Sequence, residues 1–337
     1  MSEEHDHEEE KHSIFGQKEY IKFIYHFNYF SAYAIISAIY CIPTIIITLK
    51  MIYLYVRKHK VLSQNNLHPE LFRQFLIMQT LCLFHVFIAF FVIRIPNTGW
   101  MTAWCASRKP ERILKVLMFL NSGIIYSKYF SIILFCVMRV FLLTTSSYLK
   151  EFQSSTYFQK AGLYLTYLTP FLISVAFLLA LPRYMENASC SQVGDPFPHG
   201  AIMVMSLIRH NAKMPLSFII EVVINPFVVI TISVLNFIMF LKLRESRQLS
   251  LITSRKHDSK AEKVFTVTMA LLLIPVIINV SIALFEFFDD FLFHVYLIRP
   301  YSIDAQAHVI TCYFYFTHPI FKKKVINVVR VKSVTTN

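Results

Sequence analysis

Seven apolar runs, each close to the ~20 residues that an α-helix needs to cross a bilayer, constrain this chain more than any other feature. They fall at Phe30–Val56, Gln74–Ile93, Arg112–Leu143, Gly162–Leu181, Leu216–Leu243, Val264–Phe285 and Ser302–Phe321. Lipid offers no partner for a peptide group, so a run of this length must satisfy its own backbone as a helix. The expected fold is all-α, a seven-transmembrane helix bundle. Composition agrees: 16% of the 337 residues are charged, where soluble domains carry about 25%. Pro43, Pro170, Pro226 and Pro275 lie inside runs, which buried membrane helices tolerate because neighbours take up the freed carbonyls.

The third run is the most informative. It is apolar along most of its length yet carries Asn121, Lys128 and Arg139. At about 100° per residue, these intervals bring the three to within roughly 20° of one angular position. Lys128 and Arg139 then stand roughly 16 Å apart along the axis. A span with one charged stripe and apolar flanks is expected to turn the stripe inward. The stripe is either a functional site or structural glue between helices.

The formal charge is +13, but the basic residues form short clusters between apolar runs. That is the pattern of loops facing anionic lipid rather than of a nucleic-acid surface. With the amino terminus placed outside, the inner segments hold 19 Lys and Arg and the outer segments 12, which favours that orientation. Five of the outer charges, from Arg94 to Lys115, run against it. The expected organisation is an acidic extracellular tail over residues 1–24, a receptor domain over 25–322 and a cytoplasmic tail over 323–337. Within the first tail, His5, His7 and His12 are metal-ligand types, but a stretch without an apolar core is expected to remain solvated, and no metal site is assigned.

Cys41, Cys82, Cys136 and Cys312 lie inside apolar runs and read as small apolar residues. Cys105 and Cys190 lie in loops on one predicted face, where a disulfide would pin the long loop after span four over the bundle. In that loop Asn187-Ala188-Ser189 is a glycosylation sequon. A second match, Asn279-Val280-Ser281, lies inside span six, where no glycan can be added.

In the outer half, Asn121, Lys128, Glu221, Asn225 and His308 are the polar residues at span depth and form the expected ligand-binding set. Lys128 and Glu221 carry opposite charges on different helices and would pair with each other or with a charged ligand, since a lone charge in lipid costs several kcal/mol. On the inner side, Arg139, Arg244, Arg247, Lys263 and Lys322 are the expected partner-facing residues. The basic loop at 242–263 and the Phe321-Lys322-Lys323-Lys324 stop suit partner docking, and equally suit plain topology signals. Enzyme chemistry has little support: there is no His-Glu-x-x-His motif and no glycine-rich phosphate loop. No cofactor is expected. The rival class is a multi-span transporter or structural membrane protein, although the two related halves typical of many transporters are not evident.

Several stretches resemble the nematode chemoreceptors called serpentine receptor class U, within the class gamma superfamily. They are Glu19-Tyr20-Ile21-Lys22-Phe23, Tyr40-Cys41-Ile42-Pro43-Thr44-Ile45-Ile46, Arg299-Pro300-Tyr301 before span seven, and Thr317-His318-Pro319-Ile320-Phe321-Lys322 at its end. The resemblance extends over most of residues 15–325. It implies a plasma-membrane protein of sensory neurons that detects a small-molecule ligand and acts through a heterotrimeric G protein, with membrane lipid around it and no nucleic-acid partner. Rhodopsin-like receptors differ. Their acidic-Arg-aromatic triplet is here Met138-Arg139-Val140, without the acid. Their Asn-Pro-x-x-Tyr signature is absent, with Thr317-His318-Pro319 near its place. Ser302–Phe321 also lacks the lysine that binds retinal in visual pigments.

Overall fold

The computed structural model describes residues 13–64, 69–108, 110–148, 156–194, 197–206, 216–252, 259–285, 292–318 and 321. Some side chains near helix ends fall outside this set. Among the described residues seven long helices follow one another: α1 (Tyr29–Gln64), α2 (Pro69–Ala89), α3 (Glu111–Tyr148), α4 (Thr156–Met185), α5 (Leu216–Ile252), α6 (Ser259–Phe285) and α7 (Leu292–Thr317). Five contain stretches long and apolar enough to cross a membrane, and α6 contributes a shorter apolar segment, Thr266–Pro275. All seven expected spans coincide with these helices. The helices outrun the apolar runs, because helical hydrogen bonding continues beyond the hydrocarbon boundary.

Two boundaries moved. The seventh helix begins at Leu292 rather than Ser302, so Arg299, Pro300 and Tyr301 lie inside it. A packed membrane helix can absorb the proline. In α2, the helix widens into a π-turn at Phe90–Arg94 and continues to Asn97. The wide turn changes which way the following side chains face.

Packing explains why α3 carries the polar stripe. It lies against α2, α4 and α5, and 67% of its apolar window is buried, against 17% in α4 and in α5. The outer helices show apolar faces instead: Ile35, Ile39, Ile42 and Ile46 on α1, and Phe227, Ile230, Val234 and Phe237 on α5, are exposed. A bundle that is apolar outside and polar along its central helix suits lipid as its solvent. The main core is aromatic towards the end away from the hairpin. There Phe75 of α2 meets Phe314 of α7 with ring centroids 4.1 Å apart and Phe135 of α3 at 5.9 Å.

The other end is closed by a cap. Strands β1 (Ala188–Gln192) and β2 (Ile202–Ser206) form an antiparallel hairpin with Cys190 opposite Val204. A disulfide joins Cys105, in the short helix Thr102–Ser107, to Cys190. The chain before α1 packs onto this hairpin. The Ile14 amide donates to the Cys190 carbonyl at 3.1 Å and the Gly16 amide to Ala106 at 3.0 Å. The Tyr20 hydroxyl donates to the Gln192 side chain. Residues 13–24, expected as part of a free tail, therefore belong to the folded cap. The reason is apolar: Ile14 and Tyr20 are buried with Leu114, Ile202 and the disulfide. The acidic residues 1–12, with His5, His7 and His12, lie outside the described residues. Asn28 then caps α1, its Oδ1 accepting from the Ser31 amide at 3.0 Å.

Candidate functional site

The stripe on α3 does turn inward. Lys128 is 1% exposed and Arg139 3%, and Asn121 is half-buried with its Oδ1 unpartnered. The partner of Lys128, however, is not Glu221. Its Nζ lies 3.0 Å from Nδ1 of His85 on α2. A lysine ammonium can only donate, so Nδ1 accepts and the ring proton sits on Nε2. Glu221 is taken by Arg183 of α4 at 2.8 Å, and Arg183 also reaches Glu186 at 3.3 Å. A guanidinium between two carboxylates at the mouth of α4 and α5 meets Glu221 there, while Lys128 is buried among α2 and α3. Asn225 lies one turn further along α5, half-buried.

His308 is engaged as well. Its Nδ1 is 2.6 Å from the Thr44 hydroxyl and its Nε2 3.6 Å from the Cys41 sulfur, and Tyr40 stacks edge-on against it. Lys128, Glu221 and His308 thus each take a different neighbour rather than converging in one cluster. The cysteines Cys41, Cys82, Cys136 and Cys312 are free thiols.

A centre not expected from the sequence lies nearer the cap. Arg94, at the end of the π-turn, is 3% exposed and bonded through Nη2 to Asp304 of α7. The same nitrogen donates to the Pro300 carbonyl at 3.4 Å. The Arg94 guanidinium carbon stands 5.6 Å from the Tyr33 ring of α1 and 6.0 Å from the Phe90 ring, both within cation–π range. Beside this pair is a cavity of about 70 Å³ lined by Tyr29, Phe30 and Tyr33 of α1, Arg94 and Asn97, and Pro300 and Tyr301 of α7. Arg94 had been counted among the outer loop charges. Its placement here removes one charge from that count and accounts for part of the imbalance. The available signal was Asp304, an acid inside an apolar run that needs a cation.

At the end opposite the cap, Arg139 Nη2 donates to the Thr266 hydroxyl of α6 at 3.0 Å. Expected as a partner-facing residue, Arg139 instead lies inside, because it shares the buried face of Lys128. Arg244 is exposed on α5. The side chains of Arg247, Lys263 and Lys322 lie outside the described residues. Between the two ends, polar rungs tie α2 to its neighbours. Gln74 donates to Ser131 of α3 at 3.0 Å and accepts from Thr169 of α4 at 3.1 Å, and Gln79 accepts from Thr311 of α7 at 2.9 Å. At the cap, Asn187 is exposed where α4 meets β1, and its Oδ1 accepts from Lys115 at 3.1 Å.

A central helix with buried cations at two depths, an outward apolar surface and a disulfide-pinned hairpin at one end suits a multi-pass membrane protein. Comparison with known proteins agrees. The family model described as serpentine type 7TM GPCR chemoreceptor Sru matches residues 14–324. Serpentine receptor class U-26 of Caenorhabditis elegans is 27% identical over 258 residues, covering 76% of this chain and 84% of that relative. The chain belongs to the Sru family of serpentine seven-transmembrane chemoreceptors.

Proposed function

We propose that this receptor sits in the plasma membrane with its cap and amino terminus outside, detects a small molecule there, and signals to a heterotrimeric G protein at the opposite end. The observation that carries the reading is the single helix α3, which presents two buried cations to two different neighbours. Lys128 engages α2 through His85 near the cap side, and Arg139 engages α6 through Thr266 eleven residues further on. A ligand that favours one arrangement of α2 against α3 biases the contact at the far end through the same rigid helix. A coupling of about 1–3 kcal/mol would give a graded response. The disulfide and the Asn187 sequon at the cap support an external, oxidising location for that end. The exposed Arg244, with the basic segments around 242–263 and 322–324, supplies charge suited to an intracellular partner.

The test is nucleotide exchange on a purified heterotrimer by the reconstituted receptor, driven by a library of volatile and water-soluble compounds. Compound-dependent exchange is expected. Uptake of a radiolabelled compound without exchange would instead make the protein a transporter.

A further inference from the structure

We infer that the cavity between α1, α2 and α7 beneath the cap binds a small neutral molecule with an oxygen acceptor, such as a short-chain ketone or alcohol. The inference rests on the receptor reading and names the ligand class. Three observations carry it. The first is unmet hydrogen-bonding capacity. Arg94, which lines the cavity, holds two buried nitrogens, Nε and Nη1, with no aligned acceptor, and the Tyr33 hydroxyl is buried beside them. Buried donors are normally satisfied, so a group of this kind marks where a bound molecule or water belongs.

The second observation is charge balance. The Arg94 guanidinium is already matched by Asp304. A second anion would leave an uncompensated charge beside the buried Arg94–Asp304 pair, and an ammonium ligand would face the guanidinium. A neutral carbonyl or hydroxyl oxygen accepts from the free donors and adds no charge. The third observation is shape. Tyr29, Phe30, Tyr33 and Tyr301 give the cavity apolar walls suited to an alkyl chain. Its volume of about 70 Å³ is well below the ~150 Å³ of a cavity that admits benzene, which limits the occupant to a short chain.

The site also lies where binding can act. Its walls come from three helices, and α2 runs from Arg94 back to His85, the partner of Lys128. A molecule that draws Tyr33 and Arg94 together changes how α2 sits between α1 and α3.

The experiment uses the full chain in lipid nanodiscs and four matched four-carbon probes: 2-butanone, 1-butanol, butyrate and butylamine. Ligand-observed NMR titration reads the binding. Two altered proteins accompany the wild type. Tyr33→Phe removes one hydroxyl, and Arg94→Met combined with Asp304→Leu removes both charges together, so that neither is left buried alone. Retention of the Cys105–Cys190 bridge and a monodisperse elution profile check folding. The ketone and alcohol are expected to bind, with the two charged probes at least about tenfold weaker. Tyr33→Phe should weaken the neutral probes by roughly three- to tenfold, the loss of one neutral hydrogen bond, and the double replacement should abolish their binding. Preference for butyrate or butylamine, binding of no probe, or equal affinity in all three proteins would each overturn the inference. A compound that drives nucleotide exchange equally in all three proteins would also overturn it, while leaving the receptor reading intact. Binding of 2-butanone with the expected losses, but no exchange from any compound, would uphold the site and sink the receptor reading.

Discussion

Lys128 and His85 meet 3.0 Å apart between α3 and α2, a fully buried cation held by a neutral acceptor rather than by a carboxylate. Such a contact satisfies the ammonium's direction but not its charge, so it is easier to exchange for another partner than an ion pair would be. His85→Leu is expected to leave the ammonium without its acceptor and to cost about 1–3 kcal/mol of stability. Adding Lys128→Met to that variant should recover most of the loss. Thermal unfolding of the wild type and these two variants in detergent checks both statements. Equal stability in all of them would mean that water, not His85, holds the lysine.

Signalling gives a separate readout of the same contact. Lys128→Met alone is expected to alter basal or ligand-driven nucleotide exchange while surface expression persists. An unchanged dose–response curve would remove Lys128 from the mechanism and leave it as packing.

The Arg94–Asp304 pair ties α2 to α7 near the cap. Asp304→Leu leaves a buried guanidinium without its carboxylate and should cost about 3–5 kcal/mol. The paired replacement, Arg94→Met with Asp304→Leu, should be less damaging than the sum of the single changes, with an interaction energy of about 0.5–3 kcal/mol. A double-mutant cycle from thermal or denaturant unfolding measures it. Strict additivity would show that the two side chains do not act as a pair.

Close approach of α3 and α4 depends on Gly123. A Cβ there would stand 2.6 Å from the Phe177 ring, and small residues are what let membrane helices pack this tightly. Gly123→Leu should destabilise by about 1–3 kcal/mol through overpacking. The same change combined with Phe177→Ala should recover part of that, as read by unfolding midpoint.

The cap has its own weak point at Gly200. Its φ is +84° and an added Cβ would meet the Phe23 ring at 2.2 Å. Gly200→Ala should cost about 1–2 kcal/mol from the left-handed backbone alone, and it should loosen the chain before α1. Limited trypsin digestion is expected to cut after Lys18 and Lys22 faster in this variant than in the wild type. An unchanged cleavage rate would mean that the segment is held independently of the turn.

Asn187 is exposed at the cap, and its modification reports sidedness. Protein made in a secretory-competent host should lose mass on glycosidase treatment, and Asn187→Gln should abolish that shift. No mass shift at Asn187, with modification instead of a sequon introduced into the 242–263 segment, would invert the proposed orientation.

Much of the architecture was fixed by local chemistry that can be read along the chain. Apolar runs of span length have one stable solution in lipid, and the 100° step per residue put Lys128 and Arg139 on one face before any neighbour was known. That they are buried follows, because a helix with one polar stripe has only one way to turn it. The identity of each partner did not follow. Lys128 was weighed against Glu221 on charge alone, but pairing is decided by depth and by which helices touch. Arg183 reached Glu221 first, and a histidine 43 residues upstream faced the lysine. Arg94 was placed in a loop because it sits at the end of an apolar run, and only the packing of the π-turn against α7 brought it to Asp304 inside the bundle. Sequence determined which segments enter the membrane and which face each keeps from lipid. Tertiary packing decided which polar groups meet, since hydrogen bonds act over about 3 Å and the register between helices cannot be read from any one of them.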